Sequence, residues 1–263
     1  MTVQDDTGKL LSAQDPVPVE VENPDSTSPV FLVCEHAGRA VPARLGDLGV
    51  SAADMERHIA WDVGAGPVAR LMAARLGATL VRQNFSRLVI DCNRPLDAES
   101  CIPPVSDQTP VPANQGLNES QRRQRFDDIH RPFHDRVAGL LDARAGQGRP
   151  TLLVAVHSYT MRLNGGSERP WHLGLLYNRD DTLAQRLMSH LAKRTPGLNL
   201  VFNEPYSVDD YTDYTIPVHG ETRGLPHVLL EIRNTEIRDD AGQAYWAGLL
   251  SDALGDVVEA MDL

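Results

Sequence analysis

With 263 residues the chain suits one large domain or two small ones, and its 41% hydrophobic content is enough for a sizeable core. A formal net charge of -11 with no Lys/Arg block argues against a nucleic-acid or acidic-membrane surface, because phosphate binding needs clustered cations. There is no signal-peptide pattern, no apolar run near the length of a membrane span, and no C-x-x-C spacing among Cys34, Cys92 and Cys101, which predicts a cytoplasmic protein with reduced thiols.

Residues 1–28 are polar and rich in Asp, Pro, Ser and Thr, and read as a tail ahead of one domain over 29–263. Pro29–Cys34 is a short continuous apolar run, the mark of a strand buried on both faces. Asp62 opens a helix with Val68, Leu71, Met72 and Leu76 at helical spacing, closed by Gly77. Strands are expected at Thr79–Val81 and Leu88–Ile90. Four prolines make Cys101–Gln115 a long loop. Asn118 caps the next helix with Gln121 in capping-box position, and Pro132 is expected to kink it. Leu152–Val156 is the clearest buried strand. The Gly-rich loop Asn164–Gly166 separates it from a strand at Leu173–Tyr177. A helix through Leu183, Leu187 and Leu191, a strand at Leu198–Phe202, a polar aromatic loop over Tyr206–Arg223, a strand at Val228–Ile232 and a final helix complete the chain. Strands alternating with helices predict an α/β domain with a mixed, mostly parallel sheet, whose ligands bind beyond the carboxyl ends of the strands.

Polar residues gather at those ends. The first strand runs into Glu35 and His36; the expected Leu88–Ile90 strand runs into Asp91, Asn93 and Arg94; Leu152–Val156 runs into His157; the last strand carries Glu231 and Arg233. Two histidines at equivalent strand ends, with carboxylates nearby, suit Zn²⁺ with a position left open for water. Asp62 is the expected third ligand, although an Asp there equally suits a helix N-cap, and Glu35 is its competitor. Glu231 is a carboxylate inside an apolar strand, which is costly unless paired or functional; beside a metal site it could act as a general base. Arg87, Arg94 and Arg233 bracket the site and could grip a carboxylate or steady an oxyanion. His219 and Glu221, in VHGETRG, could contact substrate or shape their loop. The other histidines are expected to be structural or on the surface.

The segments VCEHAGRAVP, HIAWDVGAG, NFSRLVIDCNRP, VAVHSYT, HGETRG and VLLEIRN resemble the N-formylglutamate amidohydrolase family over about residues 29–250. That family in turn looks like the zinc carboxypeptidases and deacylases, which implies a three-layer α/β/α domain and one Zn²⁺ per chain. The resemblance implies His36, Asp62 and His157 as metal ligands, Glu231 as the catalytic carboxylate, Arg87 as the oxyanion-stabilising arginine and Asn93–Arg94 as the pair that holds the substrate carboxylate; His219 and Arg233 are expected, from their own positions, as further substrate contacts. Two departures stand out. Arg39 occupies the place of the carboxylate in the HxxE motif of carboxypeptidases, and Glu-His-Ala-Gly replaces the Pro-His-Ser-Gly-like motif of better-known formylglutamate hydrolases. The expected partner is a small anionic N-acyl amino acid, most simply N-formylglutamate, rather than nucleic acid or membrane. The alternatives are another N-acyl amino acid or short peptide as substrate, or a non-catalytic metal- or carboxylate-binding module. Oligomeric state is left open.

Overall fold

A computed structural model describes residues 9–263; residues 1–8 of the expected polar tail lie outside the described residues. In chain order the strands are β1 (Val19–Glu22), β2 (Val30–Cys34), β3 (Thr79–Gln83), β4 (Val105–Ser106), β5 (Thr109–Pro110), β6 (Leu152–Tyr159), β7 (Leu173–Leu176), β8 (Leu200–Phe202) and β9 (His227–Arg233). The α-helices are α1 (Ala52–Met55), α2 (Ala65–Leu76), α3 (Glu119–Arg125), α4 (Arg131–Gly146), α5 (Thr182–Arg194) and α6 (Asp240–Ala260).

Seven strands form one sheet in the order β1-β3-β2-β6-β9-β7-β8, and β4 with β5 makes a separate hairpin. Strands β3, β2, β6 and β9 run parallel, while β1 and β7 join antiparallel to β3 and β9. The centre is buried on both faces, which is why β2 and β6 read as unbroken apolar runs. Alternate residues feed two cores. Leu32, Val154 and Leu230 pack under α2, α5 and α6, whereas Phe31, Leu153 and Leu229 pack against α4 and the loops on the opposite face. The expected α/β architecture with a mixed, mostly parallel sheet is therefore the one observed.

Four expectations need correction. First, the polar stretch contributes β1, whose alternating valines and glutamates suit an edge strand paired with β3. Second, Leu88–Ile90 is a buried turn, not a strand. Ser86 organises it, with its hydroxyl donating to the Ala60 carbonyl and accepting from Leu88 N–H. The carbonyls of Leu88 and Val89 accept from the side chains of Asn114 and Arg125 instead of a ladder. Third, Asp62 does not open α2: Gly64 is its N-cap, and Asp62 lies in the preceding turn. Fourth, β6 continues through His157, Ser158 and Tyr159, because these residues keep pairing with Glu231, Ile232 and Arg233. His157 is thus in the strand, while His36 does follow the end of β2.

The capping box of Asn118 and Gln121 is present. Instead of a simple kink, Pro132 follows a π-helical turn at Phe126–His130, where the Arg131 N–H reaches back to the Phe126 carbonyl. The expected long loop carries the β4–β5 hairpin.

Gly64 is essential to the turn that carries Asp62. Its φ is +82°, and a Cβ there would lie 2.2 Å from the Ile237 carbonyl oxygen. Gly64→Ala is therefore expected to lower the unfolding free energy by at least about 2 kcal/mol, measured by urea denaturation.

Candidate metal centre and adjoining cleft

The backbone brings the first two candidate ligands, His36 and Asp62, together. The Asp62 N–H donates to the His36 carbonyl at 3.0 Å, which ties the turn before α2 to the end of β2. The Asp62 Oδ2 then lies 3.3 Å from His36 Nδ1 and 2.9 Å from His157 Nδ1, and the two Nδ1 atoms are 3.1 Å apart. All three side chains are buried, and the group could hold a metal ion. Ligand atoms at bond lengths of about 2.0–2.1 Å around a tetrahedral ion are separated by roughly 3.3 Å, so this triangle has the right size.

Outer contacts support that use. His36 Nε2 meets Asp91 Oδ1 at 2.7 Å. His157 Nε2 lies 3.0 Å from Glu35 Oε2, a close charge contact without good hydrogen-bond alignment. Carboxylates placed there favour the proton on Nε2 of each ring and turn both Nδ1 lone pairs toward Asp62. Glu35 therefore backs His157 and does not complete the ligand triangle. Two lone pairs and a carboxylate oxygen at these distances repel one another unless a cation lies among them. The charge count agrees: Glu35, Asp62 and Asp91 are buried, and among the described residues Arg87 supplies the one guanidinium paired with them, leaving two negative charges that a divalent ion would balance. Without metal, a proton takes that place. Burial alone would lower the pKa of His157, yet Glu35 and Asp62 hold it well above the ordinary histidine value. Burial likewise opposes ionisation of Asp62, but the charge of His36 and hydrogen bonds from His157 and His36 hold it well below the usual carboxylate range.

Glu231 stands beside His157 in the parallel register and so on the same face of the sheet. Its Oε2 is buried with no hydrogen-bond partner, and burial pushes its pKa up to about 7. It lines a cavity of about 450 Å³ together with His36, His157, His58, Arg87 and Arg94. Tyr206, Ser207 and Asp213, from the loop before β9, form another wall of that cavity.

The remaining expected site residues divide. Arg87 lines the cavity, but both ends of its guanidinium hold carboxylates: NH1 is 3.4 Å from Asp62 Oδ1 and NH2 is 2.6 Å from Asp91 Oδ2. The Asn93 carboxamide pins the loop, donating to Asp213 at 3.0 Å and accepting from the Tyr214 and Thr215 N–H groups. Arg94 uses NH1 on Asp213 and on the Asn93 carbonyl, and its side chain still borders the cavity. Arg233 pairs with Glu236 at 2.6 Å and is not among the cavity's lining residues. His219 is also away from the cavity wall, buried in a cluster where its Nε2 lies 3.0 Å from His134 Nδ1. Glu221 anchors Arg179 and accepts from its N–H at 2.7 Å.

Three neighbours of the centre have no role assigned by the sequence pattern alone. Asp91 orients His36, and the i, i+4 spacing of Arg87 and Asp91 was the available signal. Asp213 approaches from far along the chain, which no local pattern reveals. His58, expected with the other histidines to be structural or on the surface, has its Nδ1 3.6 Å from Asp62 Oδ1 and lines the cavity.

A mixed, mostly parallel sheet that brings a His–Asp–His group and a buried carboxylate without a hydrogen-bond partner into one cavity defines a hydrolase of mixed α/β fold with a centre able to hold a metal. The chain belongs to the N-formylglutamate amidohydrolase family, which matches residues 28–238, and it is an amidohydrolase. Gene product Atu2144 from Agrobacterium tumefaciens superposes with a TM-score of 0.92 at 36% identity, over 97% of this chain and 100% of that one. An N-formylglutamate amidohydrolase from Ralstonia eutropha superposes with a TM-score of 0.68 at 21% identity, over 93% of this chain and 98% of that one, a likeness of fold. No curated protein matches the chain.

The histidine cluster makes stability depend on pH. Burial lowers the pKa of His130 and of His219 to about 4, and burial together with His130 and His219 lowers that of His134 well below the ordinary value. Between about pH 4 and the unfolded value near 6.5 the unfolded chain binds more protons, so stability is full above that window and falls as pH drops through it. His219→Gln is expected to flatten the pH slope of the unfolding free energy in this window by up to about 1.4 kcal/mol per pH unit, measured by urea denaturation across a pH series.

Proposed function

We propose that the protein is a zinc-dependent amidohydrolase that cleaves an N-acyl amino acid, with N-formylglutamate the substrate that the family relation favours and formate and glutamate its products. The observation that carries this reading is the unpartnered Glu231 carboxylate beside the His36–Asp62–His157 triangle. Imidazole nitrogens and a carboxylate oxygen suit zinc, and three protein ligands leave a coordination position open. When bound, zinc supplies Lewis acidity toward the acyl carbonyl and toward a water nucleophile.

The chain's own residues do the rest. With a pKa of about 7, Glu231 is poised both to take a proton from water and to return it to the leaving nitrogen. Arg94 offers the substrate carboxylate its remaining donors, and Asn93 keeps the 213–215 loop in place behind it. Arg87 restrains Asp62 and Asp91 and borders the same cavity, where a developing oxyanion would meet its positive charge. His219 and Arg233 act at a distance from the cavity, through the packing of the π-helical turn and the end of β9.

Glu231→Gln is expected to keep its zinc and to lose roughly 10² to 10⁴ in kcat on N-formylglutamate; near-native kcat with zinc bound refutes the general-base role. Metal analysis is expected to find one zinc per chain in the native protein. Asp62→Ala and His157→Ala should each abolish stoichiometric binding, whereas unchanged zinc content in both would remove the metal from this site.

A further inference from the structure

Three cavities adjoin at His58. His58, Arg87, Arg94 and Tyr206 line both the metal cavity and a second one of about 280 Å³, which Val105 and Leu163 also border. His58, Ile59, Asp107 and Leu163 line this second cavity and a third of about 500 Å³, which also touches Arg162, Asn234 and Arg238. A formyl group displaces little more than one or two waters, roughly 30–60 Å³. The outer space is far larger than that.

The outer wall is built, not incidental. The β4–β5 hairpin and the Gly-rich loop clasp each other. Asn164 N–H donates to the Asp107 carboxylate at 2.8 Å, the Asn164 carboxamide donates to the Asp107 carbonyl at 3.0 Å, and Gln108 Nε2 donates to the Asn164 carbonyl at 2.6 Å. Arg57 closes the clasp on Asp107 at 2.7 Å. Polar groups in the wall are left over. Asn234 is 6% exposed, and its Oδ1 is buried with no hydrogen-bond partner. His58 Nδ1 also lacks a hydrogen bond, but it faces Asp62 Oδ1 at 3.6 Å and so belongs to the metal centre. A desolvated carboxamide oxygen calls for an N–H donor. Nearby, Arg238 is exposed and makes no ion pair among the described residues, and Arg162 pairs only with the exposed Glu168.

We propose that the three cavities form one substrate cleft, and that the acyl group of the preferred substrate is itself an acidic amino-acid unit. Its N–H meets Asn234 and its carboxylate meets Arg238 and Arg162, while Val105 and Leu163 cover the span between. The substrate class is a short acidic peptide. The inference rests on amide hydrolysis at the metal centre and concerns only the acyl side. The chemistry stays balanced hydrolysis: the C–N bond breaks, water's hydroxyl joins the acyl carbon, and its proton goes to the leaving nitrogen.

The test compares glutamyl-glutamate with N-formylglutamate. The zinc-loaded protein is expected to show at least about tenfold higher kcat/KM on the dipeptide. Leu163→Trp, which fills the outer cleft without touching the metal centre, should remove that advantage and leave N-formylglutamate turnover within about twofold. Calorimetry with Glu231→Gln reads binding alone: the dipeptide should bind at least about tenfold more tightly than N-formylglutamate, and the Glu231→Gln/Leu163→Trp double variant should lose the difference. Equal or tighter binding of N-formylglutamate, or equal losses for both compounds in the Leu163→Trp background, overturns the cleft. A binding difference without turnover of either compound supports the cleft and refutes the hydrolase reading. Turnover of N-formylglutamate alone, without the binding difference, does the reverse.

Discussion

Buried negative charge is the constraint around which this molecule is arranged. Glu35, Asp62 and Asp91 are each almost wholly removed from water, and one guanidinium cannot balance three carboxylates. Uncompensated buried charge is among the most expensive features a fold can carry. The architecture answers by directing two imidazoles into the cluster, so that each carboxylate meets a ring nitrogen and the two inner nitrogens face a common point. A divalent cation at that point would complete the balance, and the same carboxylates hold the His157 pKa well above the ordinary histidine value.

The sheet supplies the rigidity that such a cluster needs. Central β2, β6 and β9 are parallel neighbours, so the ends that carry His36, His157 and Glu231 lie at one edge of the molecule. The pairing of His157 with Glu231 sets them side by side on one face, where alternation hands the adjacent residues to the opposite core. The loops do complementary work. The turn through Ser86 places Arg87 and Asp91, and the segment before β9 brings Asp213 against Asn93 and Arg94. The candidate site thus sits on loops held by a stiff frame, with the Glu231 carboxylate on the frame itself.

The strand interiors were legible because burial on both faces leaves only apolar residues to choose from. The capping box at Asn118 was legible because its logic is contained in four residues. Leu88–Ile90 misled for a related reason: an apolar run reports burial, and a turn whose carbonyls are satisfied by Asn114 and Arg125 can be buried as fully as a strand. His219 and Arg233 carried suggestive chemistry in suggestive segments, but their side chains found partners in His134 and Glu236, away from the cavity.

By itself the sequence determined the alternating α/β order and offered His36 and His157, with Asp62 or Glu35, as residues able to serve as ligands, together with Glu231 as a carboxylate that an apolar strand would not carry without cause. These follow from local periodicity and from the cost of burying charge. Only the tertiary structure placed Asp62 rather than Glu35 between the two Nδ1 atoms, since that placement depends on a hydrogen bond from Asp62 N–H to the His36 carbonyl across 26 positions of chain. It alone showed that Glu35 backs His157, that Arg87 and Asn93 are engaged in holding other groups, and that further cavities adjoin the metal cavity at His58. Spacing in a sequence records which chemistry is present; which atoms meet is set by strand order and turns that join segments far apart along the chain.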